Sequence, residues 1–334
     1  MKTLIAIMTL LLCSSSALAE RCAFDDATLG SRPLQAQGPT DVAVRVYLND
    51  VISIHDVDQS FVADVVFRAE WQDPRLRHEL EVPCRAEVDE IWTPVLQLLN
   101  QRSLESIRAP ELLVSPDGSV VSGVRAFGEF SYRADLSNFP FDKQELSFKI
   151  VSTYGPEDVR LISRPEMFEL AEQLSISNWN IEIEGSSSKV QYISAVDKKL
   201  DRIDLIMRAE RLAGYYTWQQ LLPLLLVVMM TWVTFWIPEE FVPPRVGLAA
   251  TSMLTLIAYR FAMSSVLPPI AYLTRLDVFM IGASILVFAG LAATVAVSYF
   301  GHNNNREMAD TVNRSARWMS PLLMVMLIVF SFFA

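Results

Sequence analysis

Hydroxyl side chains, Thr251, Ser252, Thr255 and Ser265 among them, stand inside an apolar stretch, Pro243 to Pro268, that is long enough to cross a bilayer. A polar group in hydrocarbon costs free energy unless it finds a partner or water. On a helix, Gly247, Thr251, Leu254, Ala258, Phe261 and Ser265 follow steps of four and three and share one face. Such a face can support water and ions, with Leu254 and Phe261 as apolar constrictions that gate by dewetting. Arg245, near the start of the stretch, would add positive charge at one mouth. A helix-packing stripe is the competing explanation, since small residues let membrane helices approach. It accounts for Gly247 and Ala258 better than for the hydroxyls. Arg260 lies off the face and close enough to one end to snorkel. One helix cannot enclose a pore, so a cyclic ring of identical subunits is implied.

Other chemistry is scarce. The three histidines are scattered and the cysteines lack zinc-ligand spacing. Neither a Gly-rich phosphate loop nor a nucleophile elbow occurs, so no enzyme activity, cofactor or metal is expected. A net charge of −10 argues against a nucleic-acid partner, which would call for a basic stripe.

The elements that must position these residues fall into two regions. Met1-Lys2, the apolar run to Leu12 and Ala17-Leu18-Ala19 have the three parts of a secretory signal peptide, 1–19. An uncleaved anchor would be short for a span. Residues 20–212 hold short alternating runs at Val42–Leu48, Phe61–Trp71, Val120–Tyr132, Glu145–Val151, Trp179–Glu184 and Arg202–Arg208. Turn signals such as Asp73-Pro74 and Pro116-Asp117-Gly118 separate them, which predicts a β-sandwich. A short helix is expected within Arg21–Gly30. Residues 213–334 contain four apolar segments, at about 215–237, 244–267, 277–300 and 318–334. Tyr215, Trp218, Trp236 and Trp318 mark their ends as an interfacial belt. The expected class is an α+β membrane protein, an extracellular immunoglobulin-like β-sandwich followed by a four-helix transmembrane bundle. Its place is the inner cell membrane, multi-pass, with both termini extracytoplasmic, Arg245, Arg306, Arg314 and Arg317 on the cytoplasmic side and Arg275 outside. Cys22 and Cys84 remain after the leader; they pair in the oxidising compartment or stay as two buried thiols.

Larger motifs then carry a resemblance. They are Trp71-Gln72-Asp73-Pro74-Arg75-Leu76, the run Trp92 to Asn100, and Phe139-Pro140-Phe141-Asp142-Lys143-Gln144. Glu210-Arg211 ahead of Tyr215-Tyr216, with Pro223 beyond, completes the set. Through these residues nearly the whole mature chain resembles the pentameric ligand-gated ion channels, the Cys-loop receptor superfamily. Tyr132 and Leu146 stand where animal receptors carry the disulfide of the named loop. With the short polar segment Gly301–Arg317, this looks like a prokaryotic member.

The resemblance implies a homopentamer of four further identical subunits, opened by a small-molecule agonist between extracellular domains and passing inorganic ions. Leu98, Thr153, Tyr154, Tyr192 and Leu200 would line the principal side of that site, and Val66, Arg68 and Arg125 the complementary side. The set is thin in aromatics and offers arginines, which suits an anionic or carboxylate-bearing ligand. Solvated strand arginines are the other reading. Coupling to the pore would run through Asp56, Asp58, Phe139, Pro140, Phe141, Asp142, Arg211 and Pro268. Asp142 and Arg211 have the charges to pair at a desolvated junction, or to form an exposed pair of little worth. Pro243-Pro244-Arg245-Val246-Gly247-Leu248 resembles the start of glycine-receptor pores, which pass anions. Glu239 and Glu240 keep a cation pathway open. Two other function classes compete. A non-conducting anchored sensor has no need of the hydroxyl face, and a transporter calls for more spans and usually an internal repeat.

Overall fold

The computed structural model describes residues 21–24, 27–33, 38–107, 111–194, 196–238, 240–263 and 270–333. The expected leader at 1–19 lies outside them, as do Glu239, Ser265 and Pro268. The described strands are β1 (Thr40–His55), β2 (Ser60–Gln72), β3 (Cys84–Ala86), β4 (Leu96–Leu98), β5 (Gln101–Ser106) and β6 (Glu111–Val114). They continue with β7 (Ser119–Ser131), β8 (Lys143–Ser152), β9 (Val159–Ile162), β10 (Phe168–Leu170), β11 (Trp179–Ile193) and β12 (Lys198–Arg211). One sheet runs β10-β1-β2-β7-β6-β3, with β5 on β7 and β9 on β1; the other runs β11-β12-β8-β4.

Alternation builds the core between them. Val42, Val44, Val46 and Leu48 point inward from β1. Phe61, Phe130 and Phe148 meet from three strands, with ring centroids 4.8 to 5.6 Å apart. Five of the six expected runs lie inside a longer strand, and Val120–Tyr132 is offset by one residue from β7, which ends at Ser131. The strands that alternation did not mark are short, from three to six residues. Between the two readings of the cysteines, the structure has the bond Cys22–Cys84, tying residues 62 apart in the chain. Among the described residues of Arg21–Gly30 there is a 3-10 turn, Ala27–Gly30.

Among the described residues, four helices long and apolar enough to cross a membrane follow: α1 (Gly214–Trp236), α2 (Val242–Met263), α3 (Arg275–His302) and α4 (Arg306–Phe333). In α1, Pro223 has no N–H for the carbonyl one turn back, and a π turn over Thr217–Leu221 precedes it. Pro243 and Pro244 open α2, where the missing N–H groups would be unpaired in any case. Thr274 and Asp277 form a reciprocal capping box at the start of α3. Helix α4 begins well before the expected fourth segment. Its first turns are polar on one side but bury Ala309 and Asn313, so hydropathy marks only the later, apolar part.

Candidate functional site

Helix α2 has two faces. Arg245, Ala249, Ser252, Leu256 and Met263 are buried against the other helices. Gly247, Thr251, Leu254, Ala258 and Phe261 are exposed on the opposite side, Leu254 at 68% and Phe261 at 75%. The hydroxyls on or beside that face bond back to their own helix. Thr251 Oγ1 donates to the Gly247 carbonyl and Thr255 Oγ1 to that of Thr251, both at 2.8 Å. Each oxygen keeps lone pairs for water.

Arg245 departs from expectation. Its side chain is fully buried, and Nη2 donates to Asn313 Oδ1 on α4 at 2.8 Å. The reason is helical phase. Two residues separate Arg245 from Gly247, about 200° of rotation at 3.6 residues per turn, so both cannot share a face. Asn313 had no sequence signal beyond helical spacing from Ala309.

At the junction of sandwich and helices the structure assembles most of the expected coupling residues. Arg211 Nε donates to Asp142 Oδ1 at 2.8 Å and Nη2 to Asp142 Oδ2 at 3.1 Å. Nη2 also reaches Asp56 Oδ1 at 2.9 Å, which accepts from the Tyr132 hydroxyl at 3.2 Å. Gln144 Nε2 donates to Asp142 Oδ2. The guanidinium lies 4.1 Å from the Trp179 ring centroid and 4.9 Å from that of Phe139. Arg211 and Asp142 side chains are each 1% exposed, which sets aside the reading of a surface pair. Burial works to lower the Arg211 pKa, but the hydrogen bonds and charges of Asp142 and Asp56 outweigh it and push it upward. Burial first, and Asp56 second, raise that of Tyr132. The aromatic shield and Gln144 escaped the sequence reading, because nothing local marks them as partners of Arg211.

The loop that carries Asp142 also closes the helix bundle. The carbonyls of Ser137 and Phe139 accept from the N–H groups of Arg275 and Leu276 at 3.1 and 3.3 Å. Those amides would otherwise be orphans at the start of α3. Phe139 and Pro140 are buried, Phe139 against Tyr216 at 4.8 Å between ring centroids. Phe141 is exposed and meets Phe332 of α4 at 5.8 Å. Asp58 stands apart from this cluster. It is exposed, and its carbonyl accepts from Arg102.

The expected ligand residues form two separate groups on one chain. Leu98 pairs across the sheet with Ile150, and the Thr153 N–H donates to the Val95 carbonyl at 3.3 Å. Tyr154 packs on Trp92 at 5.5 Å. Leu98 also borders an apolar cavity of about 440 Å³. Tyr192 is exposed on the β11–β12 hairpin and bonds Asp197, whereas Leu200 is buried. Leu200 therefore packs inside the domain and offers no surface to a ligand, a correction that follows from strand alternation. On the other sheet Val66 pairs directly with Arg125. Arg68 bonds Glu70 at 2.9 Å, and Arg125 grips Asp64 through two bonds, the shorter 2.6 Å. Arg125 thus has its own carboxylate partner and holds the Asp64 carboxyl below its usual range. Among the described residues no cluster of metal-binding side chains occurs.

This two-part architecture has known counterparts. The sequence model of the neurotransmitter-gated ion-channel ligand binding domain matches residues 25–211, and that of the neurotransmitter-gated ion-channel transmembrane region matches residues 220–329. A gamma-aminobutyric acid receptor subunit beta of Lymnaea stagnalis is 29% identical over 80% of this chain and 58% of its own length. Another subunit beta, of Caenorhabditis elegans, is 30% identical over 74% of this chain and 47% of its own. The human receptor subunit rho-3 is 26% identical over 88% and 65%. The chain therefore spans about half to two thirds of the length of these relatives. Both domain matches fall on the sandwich and the helices joined by the Asp56–Asp142–Arg211 junction. The chain belongs to the neurotransmitter-gated ion-channel family and is a multi-pass membrane protein.

Proposed function

We propose that the chain forms a homopentameric, agonist-gated ion channel whose pore is lined by Gly247, Thr251, Leu254, Ala258 and Phe261. The observation that carries this reading is the exposed face of α2, opposite the face packed on its own bundle. A closed ring of subunits would turn that face inward. An exposed small and hydroxylated stripe fits a wetted wall, with Leu254 and Phe261 narrowing it. Ser265, outside the described residues, extends the stripe by one step. A sensor that did not conduct would have no use for it. The test is current through the full-length protein in liposomes, with Leu254→Ala and Phe261→Ala compared to wild type. Altered opening in at least one variant is expected; unchanged conductance and gating in both would refute the assigned face.

The agonist site forms between neighbouring sandwiches, with Leu98, Thr153, Tyr154 and Tyr192 facing Val66 and Arg68 of the next subunit. Arg68 is half exposed, and its exposed pair with Glu70 contributes little, so a ligand carboxylate can compete for it. The relatives named for gamma-aminobutyric acid, itself a carboxylate, support that class. Protons are the alternative stimulus. The permeating ions are anions in this reading, because residues 243–245 carry an arginine and no carboxylate at the mouth. The second reading is a cation pathway, which rests on the burial of Arg245 and the exposure of Glu240. Reversal potentials in asymmetric sodium chloride decide: a shift following chloride supports anions, and one following sodium overturns them.

A further inference from the structure

Arg245 is the fourth residue of α2, about 4.5 Å along the axis from its start, and its side chain is fully buried. Nη2 donates to Asn313 Oδ1 at 2.8 Å, which ties the first turn of α2 to α4. Asn313 is itself buried, as is Ala309 one turn before it on the same face of α4. The bond therefore lies inside the bundle. Arg314, the next residue on α4, is exposed.

The place of this bond along the helices gives it a bearing on conduction. Helix α1 leaves the sandwich at Gly214 and ends at Trp236, and α2 starts soon after at Val242. The start of α2 is thus the end of the bundle away from the sandwich, whereas the far end of α4 touches it through Phe332 and Phe141. An arginine this close to a helix start can carry its head to water by snorkelling, with its stem laid along the helix. Glu240, just ahead of α2, is already exposed there. The anion and cation readings of this mouth therefore differ by where one guanidinium rests, in water near Glu240 or inside the bundle on Asn313. In a closed ring that difference is repeated in every subunit.

We propose that Asn313 is a positioning residue for ion selection: its amide oxygen holds the Arg245 guanidinium inside the bundle and keeps one positive charge per subunit out of the ion path. Its effect on ions rests on the α2-lined pore proposed above. A guanidinium that loses a buried acceptor is left desolvated, and with water in reach at the helix start it moves there. Positive charge at a narrow mouth raises the local concentration of anions and lowers that of cations. Two measurements on the full-length protein test this. In detergent, a dicarbonyl arginine reagent followed by peptide mass spectrometry should label Arg314 and spare Arg245 in wild type. In Asn313→Leu the labelling of Arg245 should rise several-fold. In liposomes under a sodium chloride gradient, with gamma-aminobutyric acid or a pH step as stimulus, the chloride-to-sodium permeability ratio of Asn313→Leu should exceed that of wild type several-fold. Asn313→Asp keeps an acceptor in the same place, so Arg245 should stay protected and the ratio should stay near that of wild type. A purely structural role for Asn313 would lower the unfolding midpoint and leave the ratio alone. An unchanged ratio in Asn313→Leu, an Arg245 still protected there, or an Asp variant that behaves like the Leu variant would each overturn the proposal. So would a wild-type Arg245 as reactive as Arg314. Should Asn313→Leu fail to assemble, Asn313→Ala deletes the acceptor without adding a branched side chain and meets the same criteria. Without current under either stimulus, the labelling alone decides the hold on Arg245, so failure of the channel reading and failure of this proposal stay distinct.

Discussion

Breaking the buried ion pair at the junction should cost far more than breaking any surface pair in this protein. Asp142→Asn removes one charge from a pair in which both side chains are 1% exposed. Loss of one partner of such a pair costs about 3–5 kcal/mol, because a desolvated charge is left behind. Asp56, 2.9 Å from the guanidinium, remains and holds Asp142→Asn near the lower figure. Arg211→Gln leaves two carboxylates without their cation and lies near the upper one. Three kcal/mol is about two decades in an equilibrium constant. The assay is heat-induced unfolding of the full-length protein in detergent, followed by tryptophan fluorescence, with Trp179 stacked on Arg211 as a local reporter. The double variant should cost no more than Arg211→Gln alone, a coupling of about 3 kcal/mol. Exchanging the two charges should restore stability and gating only in part, because Asp56 would then face a second carboxylate. The raised pKa of Arg211 adds a pH test. A cation whose folded pKa is raised contributes fully below its ordinary, already strongly basic value and loses that contribution only above it, so the effect should stay constant over the usable range. Strictly additive losses in the two single variants would refute the coupling.

The remaining predictions concern stability. Replacing Cys22 and Cys84 by serine opens a loop between residues 62 apart and should cost about 4 kcal/mol by chain entropy, read as a lower unfolding midpoint. Full alkylation of both thiols in native, unreduced protein would contradict the bond. Asn313→Leu removes a buried acceptor from Arg245 and should cost about 1.5–3 kcal/mol, whereas Leu254→Ala, on the exposed face, should be nearly neutral. Equal effects on unfolding would refute the two-faced description of α2. Asp64→Asn should flatten the acid side of the stability profile. Arg125 depresses the Asp64 pKa, so its contribution is complete above 3.8 and fades as pH falls through the lowered value. An unchanged acid limb would argue against that pair.

What was legible in the chain followed element length and phase. The long strands repeat the period of two often enough to be read, and β3, β4, β9 and β10 end after three or four residues. The stripe on α2 was legible because hydroxyls in an apolar run are costly and hence conspicuous. Arg245 was misplaced because motif similarity carries no rotational phase, and helix geometry turns it away from Gly247. Opposite charges at 142 and 211 were visible, but their burial depends on Trp179, Phe139, Tyr132 and Gln144, brought in by separate strands and loops. The partners of Arg68 and Arg125 are residues on β2, and only the β2–β7 register puts Asp64 within reach of Arg125.

Cysteine scanning along α2 tests the central claim most directly. Thr251, Leu254 and Ala258 would be replaced one at a time, and Ala249, Ser252 and Leu256 likewise, with the native Cys22–Cys84 bond left intact. A charged, water-soluble thiol reagent applied during current recording should block the first three and spare the second three. Block at 249, 252 and 256 with protection at 251, 254 and 258 would show that the wetted face is the one buried here, and the account of the pore would fall.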